Sequence, residues 1–152
     1  MHPLEGLAQQ ASWAGKNIAY NLEFIPEEKL AWKPAPTASS ALEIISHVAF
    51  YVRAMIPVLG GAEWAPLETL TASTLAEAQE LVRSSSAAYA SALRGVSPAD
   101  LGRAVTLPFG SFPLARAASM PVVDLIHHHG QIAYIQSLLG DTEMHFYEMA
   151  EE

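Results

Sequence analysis

Four stretches of this chain carry apolar residues at the three-and-four spacing of a helix, and each is closed by a breaker. The first is expected from about Pro3 to Phe24. Ile25-Pro26 and the run WKPAPTASS then end it, because proline removes a backbone donor and turns the preceding residue away from helix. The second runs from Ser39 or Ser40 to Leu59 and closes at Gly60-Gly61. Ser40 with Glu43 three residues later has the form of a capping box, and Pro57 is expected to end or kink the last turn. The third runs from Ser73, its expected N-cap, to Arg94, with Gly95 as the stop. The fourth runs from Ala117 to Leu139, with Pro121 in its first turn and Gly140 as the stop.

Between the third and fourth helices lies AVTLPFGSFPLARAA. Val105, Leu107 and Phe109 alternate and Gly110 offers a turn, so a short extended hairpin or lid is expected there. The tail DTEMHFYEMAEE reads as a short last helix or a packed extension. The fold class is therefore all-α, a four-helix bundle with a hairpin between helices three and four. Its 152 residues fit one domain over 1–152. The long second and third connections allow topologies other than simple up-and-down.

Charge and composition exclude several functions. Eight lysines and arginines stand against sixteen aspartates and glutamates, a formal net charge of -8. The basic residues are scattered and form no stripe, so nucleic acid is not an expected partner. No cysteine is present, which excludes a disulfide, a thiolate metal site and a cysteine nucleophile. MHPLEGLAQQ lacks the basic and apolar regions of a signal peptide, and no apolar run reads as a membrane span. The expectation is a soluble, cytoplasmic protein with no membrane partner.

The residues DLIHHHGQ, 124–131, place three histidines side by side. On a wheel at about 100° per residue they point in three directions. Asp124 and His128, at i and i+4, fall together on the apolar face with Ile132, Ile135 and Leu139. His129 points outward with Ala133, Gln136 and Gly140, and His127 sits on the flank. A carboxylate on an apolar face needs a partner. A buried Asp–His hydrogen bond, or an aspartate favoured by the helix dipole, would satisfy it. So would a metal, since Asp and His at i, i+4 converge their ligand atoms.

His47, in EIISHVAFYV, is the candidate third ligand. It shares a face with Ile44, Val48, Tyr51 and Met55. His47, Asp124 and His128 would form a set of two histidines and one carboxylate with open positions. Zinc or nickel fits first, iron or manganese next. His127 is the reserve ligand, and Glu43, one turn before His47, is a spare ligand or supporting base. Helix two carries a second stripe, Leu42, Ile45, Ala49, Val52 and Ile56, opposite His47. Either the hairpin or the tail covers it or a homodimer does.

The helix-two histidine in ALEIISHVAFYVRAM, together with the run DLIHHHGQIAYIQSLLG, resembles the DinB-like superfamily. So do VTLPFGSFPL and the approach PEEKLAWKPAPTASSALEIISH. The likeness covers essentially the whole chain. It implies a four-helix bundle, often dimeric, with a divalent metal near one end. It also implies ligands at His47, Asp124 and His128. This chain departs from the family at Asp124, where a histidine usually stands. Characterised relatives include transferases and isomerases that use low-molecular-weight thiols such as bacillithiol or mycothiol.

Two functions of different class follow. In the first, the chain is a metalloenzyme that activates a thiol cosubstrate or water and acts on a small molecule. Gln131 and Tyr51 are then candidates to orient a ligand or stabilise developing charge. In the second, it is a non-catalytic dimeric binding module with a degenerate metal site. Trp13 and Trp32 are expected to fill gaps in the core or loops.

Overall fold

The computed structural model describes residues 2–145. Four helices dominate: α1 Glu5–Leu22, α2 Ala41–Leu59, α3 Leu75–Arg94 and α4 Leu114–Leu138. An antiparallel pair, β1 Ala104–Leu107 and β2 Gly110–Pro113, stands between α3 and α4. This is the expected bundle with its hairpin. The helix order in space differs from the order in the chain. α1 and α2 each pack against both α3 and α4, so the sequential pairs α1–α2 and α3–α4 lie across the diagonals.

Local chemistry sets the ends. Ser40 caps α2 with the complete capping box, its Oγ accepting from Glu43 N–H while Glu43 accepts from Ser40 N–H. α2 ends through Gly61 at φ 102, where Ala62 N–H donates back to the Pro57 carbonyl. α4 ends the same way at Gly140, φ 101, with Asp141 N–H on the Gln136 carbonyl. Thr74, not Ser73, caps α3: its hydroxyl accepts from Glu77 N–H, and Glu77 reaches back to Ser73 N–H instead.

α4 begins one turn before the expected Ala117, and Pro121 is its eighth residue rather than part of its first turn. The cause is tertiary. The first-turn donors Leu114 N–H and Ala115 N–H find the Arg103 and Leu101 carbonyls, so no side-chain cap is needed. The hairpin turn also falls earlier than expected. Pro108 and Phe109 are the turn, Leu107 pairs with Gly110, and Phe109 is exposed while Val105 and Leu107 are buried. Residues 141–145 are not helical, and the remainder of the predicted tail element lies outside the described residues.

The core answers the two-stripe question on α2. Ile45, Ala49 and Val52 are buried, and Leu42 and Ile56 are half-buried against the same core. With α3 on one side and α4 on the other, both faces of α2 are covered within the chain. The second stripe is therefore core, not a dimer surface. This also explains why α2 alone, among the described helices, is long and apolar enough to cross a membrane by length and composition. Tyr89, fully buried on α3, reaches over the core to donate to the Ala118 carbonyl on α4 at 2.8 Å.

Candidate metal centre

His47 on α2 and Asp124 and His128 on α4 meet where these two helices pack side by side. One ligand atom from each lies within 4.8 Å of the other two. His47 Nε2 is 3.3 Å from Asp124 Oδ2, and His128 Nε2 is 3.5 Å from Asp124 Oδ1. The imidazole centroids stand 4.9 Å apart. The spacing i, i+4 brings Asp124 and His128 onto one strip of α4, and the capped start of α2 fixes His47 opposite.

Asp124 Oδ2 is buried without a hydrogen-bond partner. His47 Nε2 lies 3.3 Å from it, at ion-pair distance. A buried carboxylate oxygen with an open lone pair is costly unless a cation or proton completes it. Burial pushes the Asp124 carboxyl up, yet the imidazoles of His128 and His47 outweigh burial and hold it well below the usual carboxylate range. In return, Asp124 raises His47 above its ordinary value, against a smaller opposing effect of burial. The carboxylate is thus ionised at neutral pH, as a metal ligand must be.

Gln131 completes the arrangement. Its Oε1 lies 2.6 Å from His128 Nδ1 and its amide Nε2 lies 3.2 Å from His127 Nε2. With Oε1 accepting, His128 Nδ1 carries a proton, and Nε2 is the ring atom on the Asp124 side. The 3.5 Å between His128 Nε2 and Asp124 Oδ1 suits two ligands of one cation: ligand bonds of about 2.0–2.2 Å at tetrahedral angles separate donor atoms by about 3.3–3.5 Å. Gln131→Met should therefore weaken metal binding about 10- to 100-fold, the usual effect of losing an outer partner of a histidine ligand. Its melting temperature in chelator should stay unchanged, because Gln131 is exposed. Calorimetric titration and a thermal melt check both halves.

The other expectations divide. His127 is exposed beside His128, bonded to Gln131 rather than turned into the triad. Glu43 is not available as a ligand or base: the capping box and an ion pair with Lys33 at 2.6 Å occupy it. Tyr51 lines the same cleft as His47 and Asp124, and burial, with a contribution from Asp124, raises its hydroxyl pKa and keeps it protonated. Trp32 packs against the core, as expected. Trp13 stays partly exposed, its ring edge-on to His129 at 5.8 Å.

The wheel of α4 needs correction. His129 and Gln136, expected outside, are buried. The inward stripe is Ala118, Val122, Leu125, His129, Ile132 and Gln136, and Asp124 with His128 lies on its half-exposed flank. His129 Nε2 bonds Asn21 Oδ1 on α1 at 2.6 Å, and Asn21 also donates to Gln136. Burial lowers the His129 pKa, so a neutral imidazole holds this seam. Trp64, in the loop after α2, was not expected near the centre but lines its cleft. It has no periodic neighbours in sequence that would reveal its position.

The structure is thus a four-helix bundle whose second-helix histidine faces an aspartate and a histidine on the fourth, a set that could hold a metal ion. A sequence model of the DinB superfamily matches residues 10–132, and the chain belongs to that superfamily. It is similar in fold to the solved DinB-like protein YjoA of Bacillus subtilis. That match has a TM-score of 0.70 at 18% identity, over 94% of this chain and 99% of the other. Comparison with curated proteins finds no match.

Proposed function

We propose that this protein is a divalent-metal-dependent enzyme acting on a small molecule, with His47, Asp124 and His128 as the metal ligands. The observation that carries the reading is the Asp124 carboxylate, set between two imidazoles with its Oδ2 buried and without a hydrogen bond. Bound there, a zinc or nickel ion would lower the pKa of a thiol or water at its open position. The chain supplies the rest. Gln131 holds the proton of His128 on Nδ1, and Tyr51 offers a protonated hydroxyl at the cleft wall for charge that develops there. A chain without cysteine would draw its nucleophile from a cosubstrate, in keeping with transfer or isomerisation by a low-molecular-weight thiol in a cytoplasmic setting. Elemental analysis of protein purified without a histidine tag is the first test, followed by thiol-transfer assays with the loaded protein. A parent chain that takes up no zinc, nickel, iron or manganese rules the reading out, and leaves the binding-module alternative.

A second copy of the chain is the partner we propose, through α4 rather than α2. Val123, Ile126, Tyr134 and Leu138 stand exposed on one side of α4, between 43% and 65% accessible. No charged residue interrupts this face, and Gly130 at its centre has open space where a Cβ would stand. A charge-free face suits self-association of a chain that otherwise repels its copies through a net charge of -8. Tyr134→Glu should weaken a dimer at least about 100-fold, as loss of a central aromatic contact does. Sedimentation equilibrium reads this directly; a parent that stays monomeric at tens of micromolar would refute it.

A further inference from the structure

Beside the His47–Asp124 pair lies a cleft of about 400 Å³. Phe50 and Tyr51 reach it from α2, Trp64 from the following loop, and Pro108 and Phe109 from the hairpin turn. Four aromatic rings and a proline from three separate elements therefore surround one space, and His47 and Asp124 form its polar end. No lysine or arginine lines it. On the far side of the triad Thr37, Ser39 and Gln131 stand around His128 among Pro34, Ile44 and Ile135.

Phe109 makes the aromatic cleft informative. It is 61% exposed at the tip of the hairpin, with Phe112 as a ring neighbour at 5.8 Å. An apolar ring beside a concave aromatic surface gives a flat ligand a further wall to pack against. The ring is not on a free loop. Arg103, at the base of the hairpin, donates to the Val58 and Leu59 carbonyls at the end of α2, and Thr106 bonds Ser111 across the strands at 3.0 Å. The base of the hairpin is thereby tied to the end of the helix that carries His47.

Charge selects the ligand class. A carboxylate or phosphate entering this cleft meets the Asp124 carboxylate and no lysine or arginine, and the His47 imidazole there is already paired with Asp124. A neutral flat group meets ring faces and sheds water from both surfaces. We propose that the cleft takes an uncharged aromatic or similarly flat apolar group of the substrate, with the substrate's polar head at the His47–Asp124 end. The proposal rests on the metal reading only for that head; the aromatic walls stand without it.

Two probe sets test it. First, 2-naphthol is titrated into metal-free protein and followed by saturation-transfer NMR. Binding is expected in the parent and weakened at least about tenfold in Phe109→Ala and in Trp64→Ala, because each removes a stacking wall. Phe109→Ala keeps the fold, since its side chain is mostly in solvent, and a thermal melt verifies this. Second, benzohydroxamate and acetohydroxamate are compared on zinc-loaded protein by calorimetry. The phenyl compound should bind about tenfold tighter, and the ratio should fall towards one in Phe109→Ala. Equal affinity of the two hydroxamates overturns the proposal, as does naphthol binding that ignores both substitutions. Tighter binding of benzyltrimethylammonium than of naphthol also overturns it, since the cleft would then be a cation cage. If the parent takes up no zinc, the metal reading fails while the naphthol titration still decides the cleft.

Discussion

Asp124→Ala is expected to abolish stoichiometric metal binding, with affinity falling more than about 100-fold, beyond the loss that follows removal of an outer partner. The carboxylate lies between the two imidazoles at 3.3 and 3.5 Å, so its removal leaves two neutral ligands with nothing to bridge them. His47→Ala and His128→Ala should act in the same direction. Asp124→His is the informative companion, since histidine is the residue the superfamily resemblance expects there. It should retain a metal, because an imidazole at this position still points between His47 and His128. Elemental analysis and calorimetric titration on all four variants give the result. Undiminished metal in Asp124→Ala would place the ion elsewhere and undo the site. Loss in Asp124→His as well as Asp124→Ala would show that the carboxylate's charge, and not only its position, is required.

The same contacts make the affinity depend on pH in a defined direction. The Asp124 carboxyl is held low, so its ion-pair contribution to the fold is present above the ordinary carboxylate range and is lost only as pH falls through its depressed value. His47 is raised above its ordinary 6.5, so its contribution is complete below that value and is lost as pH rises through the raised one. Metal requires the opposite state of His47, with the imidazole neutral. Affinity should therefore fall as pH drops through the raised His47 value, with the decline beginning above 6.5. Binding near neutral pH should release a proton, seen as a dependence of the calorimetric heat on buffer ionisation enthalpy. A pH-independent affinity between 6 and 8 would exclude His47 as a ligand.

Where local chemistry decides an element, the sequence is a sufficient guide. The capping box at Ser40, the glycine stops at Gly61 and Gly140, and the period of all four helices depend on neighbours a few residues away. Where distant groups decide, the reading drifts. α4 starts early because the Arg103 and Leu101 carbonyls accept from its first turn. Its inward face was misplaced because two inward positions carry His129 and Gln136, satisfied by Asn21 on α1, 108 residues from His129. Polarity on one helix does not announce a partner on another. The pairing of Asp124 with His128 does not depend on that error, for a geometric reason. Asp124, His128 and Gln131 keep their mutual spacing on α4 whichever way the helix is turned. Only their depth changes, from the middle of a buried face to its flank. The aromatic cleft was not legible at all, because Phe50, Trp64 and Phe109 converge from three elements with no shared period.

Gly15→Ala is expected to destabilise the fold by about 1–3 kcal/mol, the usual effect of overpacking a close contact. In an isolated helix the same change would favour folding by about 1 kcal/mol, so its sign tests the tertiary contact. Gly15 is buried in the middle of α1, where α1 packs against α3. A Cβ built there would fall 1.8 Å from Ser86 Oγ and 2.5 Å from Ser86 Cβ. Rotation of the serine could free its oxygen, which bonds the Val82 carbonyl at 2.7 Å, but not its Cβ. The helices must therefore move apart or bend. For a chain of this size that corresponds to roughly 2–12 °C in melting temperature. Ser86→Gly should rescue Gly15→Ala, because it removes both clashing atoms, and the double-mutant cycle should show a coupling of about 1–2 kcal/mol. A neutral or stabilising Gly15→Ala, or a cycle with no coupling, would mean that α1 and α3 do not approach as closely as Gly15 and Ser86 indicate. Because α1 also supplies Asn21 to the His129 seam on α4, spreading α1 from α3 should loosen that seam as well. Faster amide exchange around His129 in Gly15→Ala, and not in the Gly15→Ala/Ser86→Gly double variant, would show the two contacts to be mechanically linked through α1.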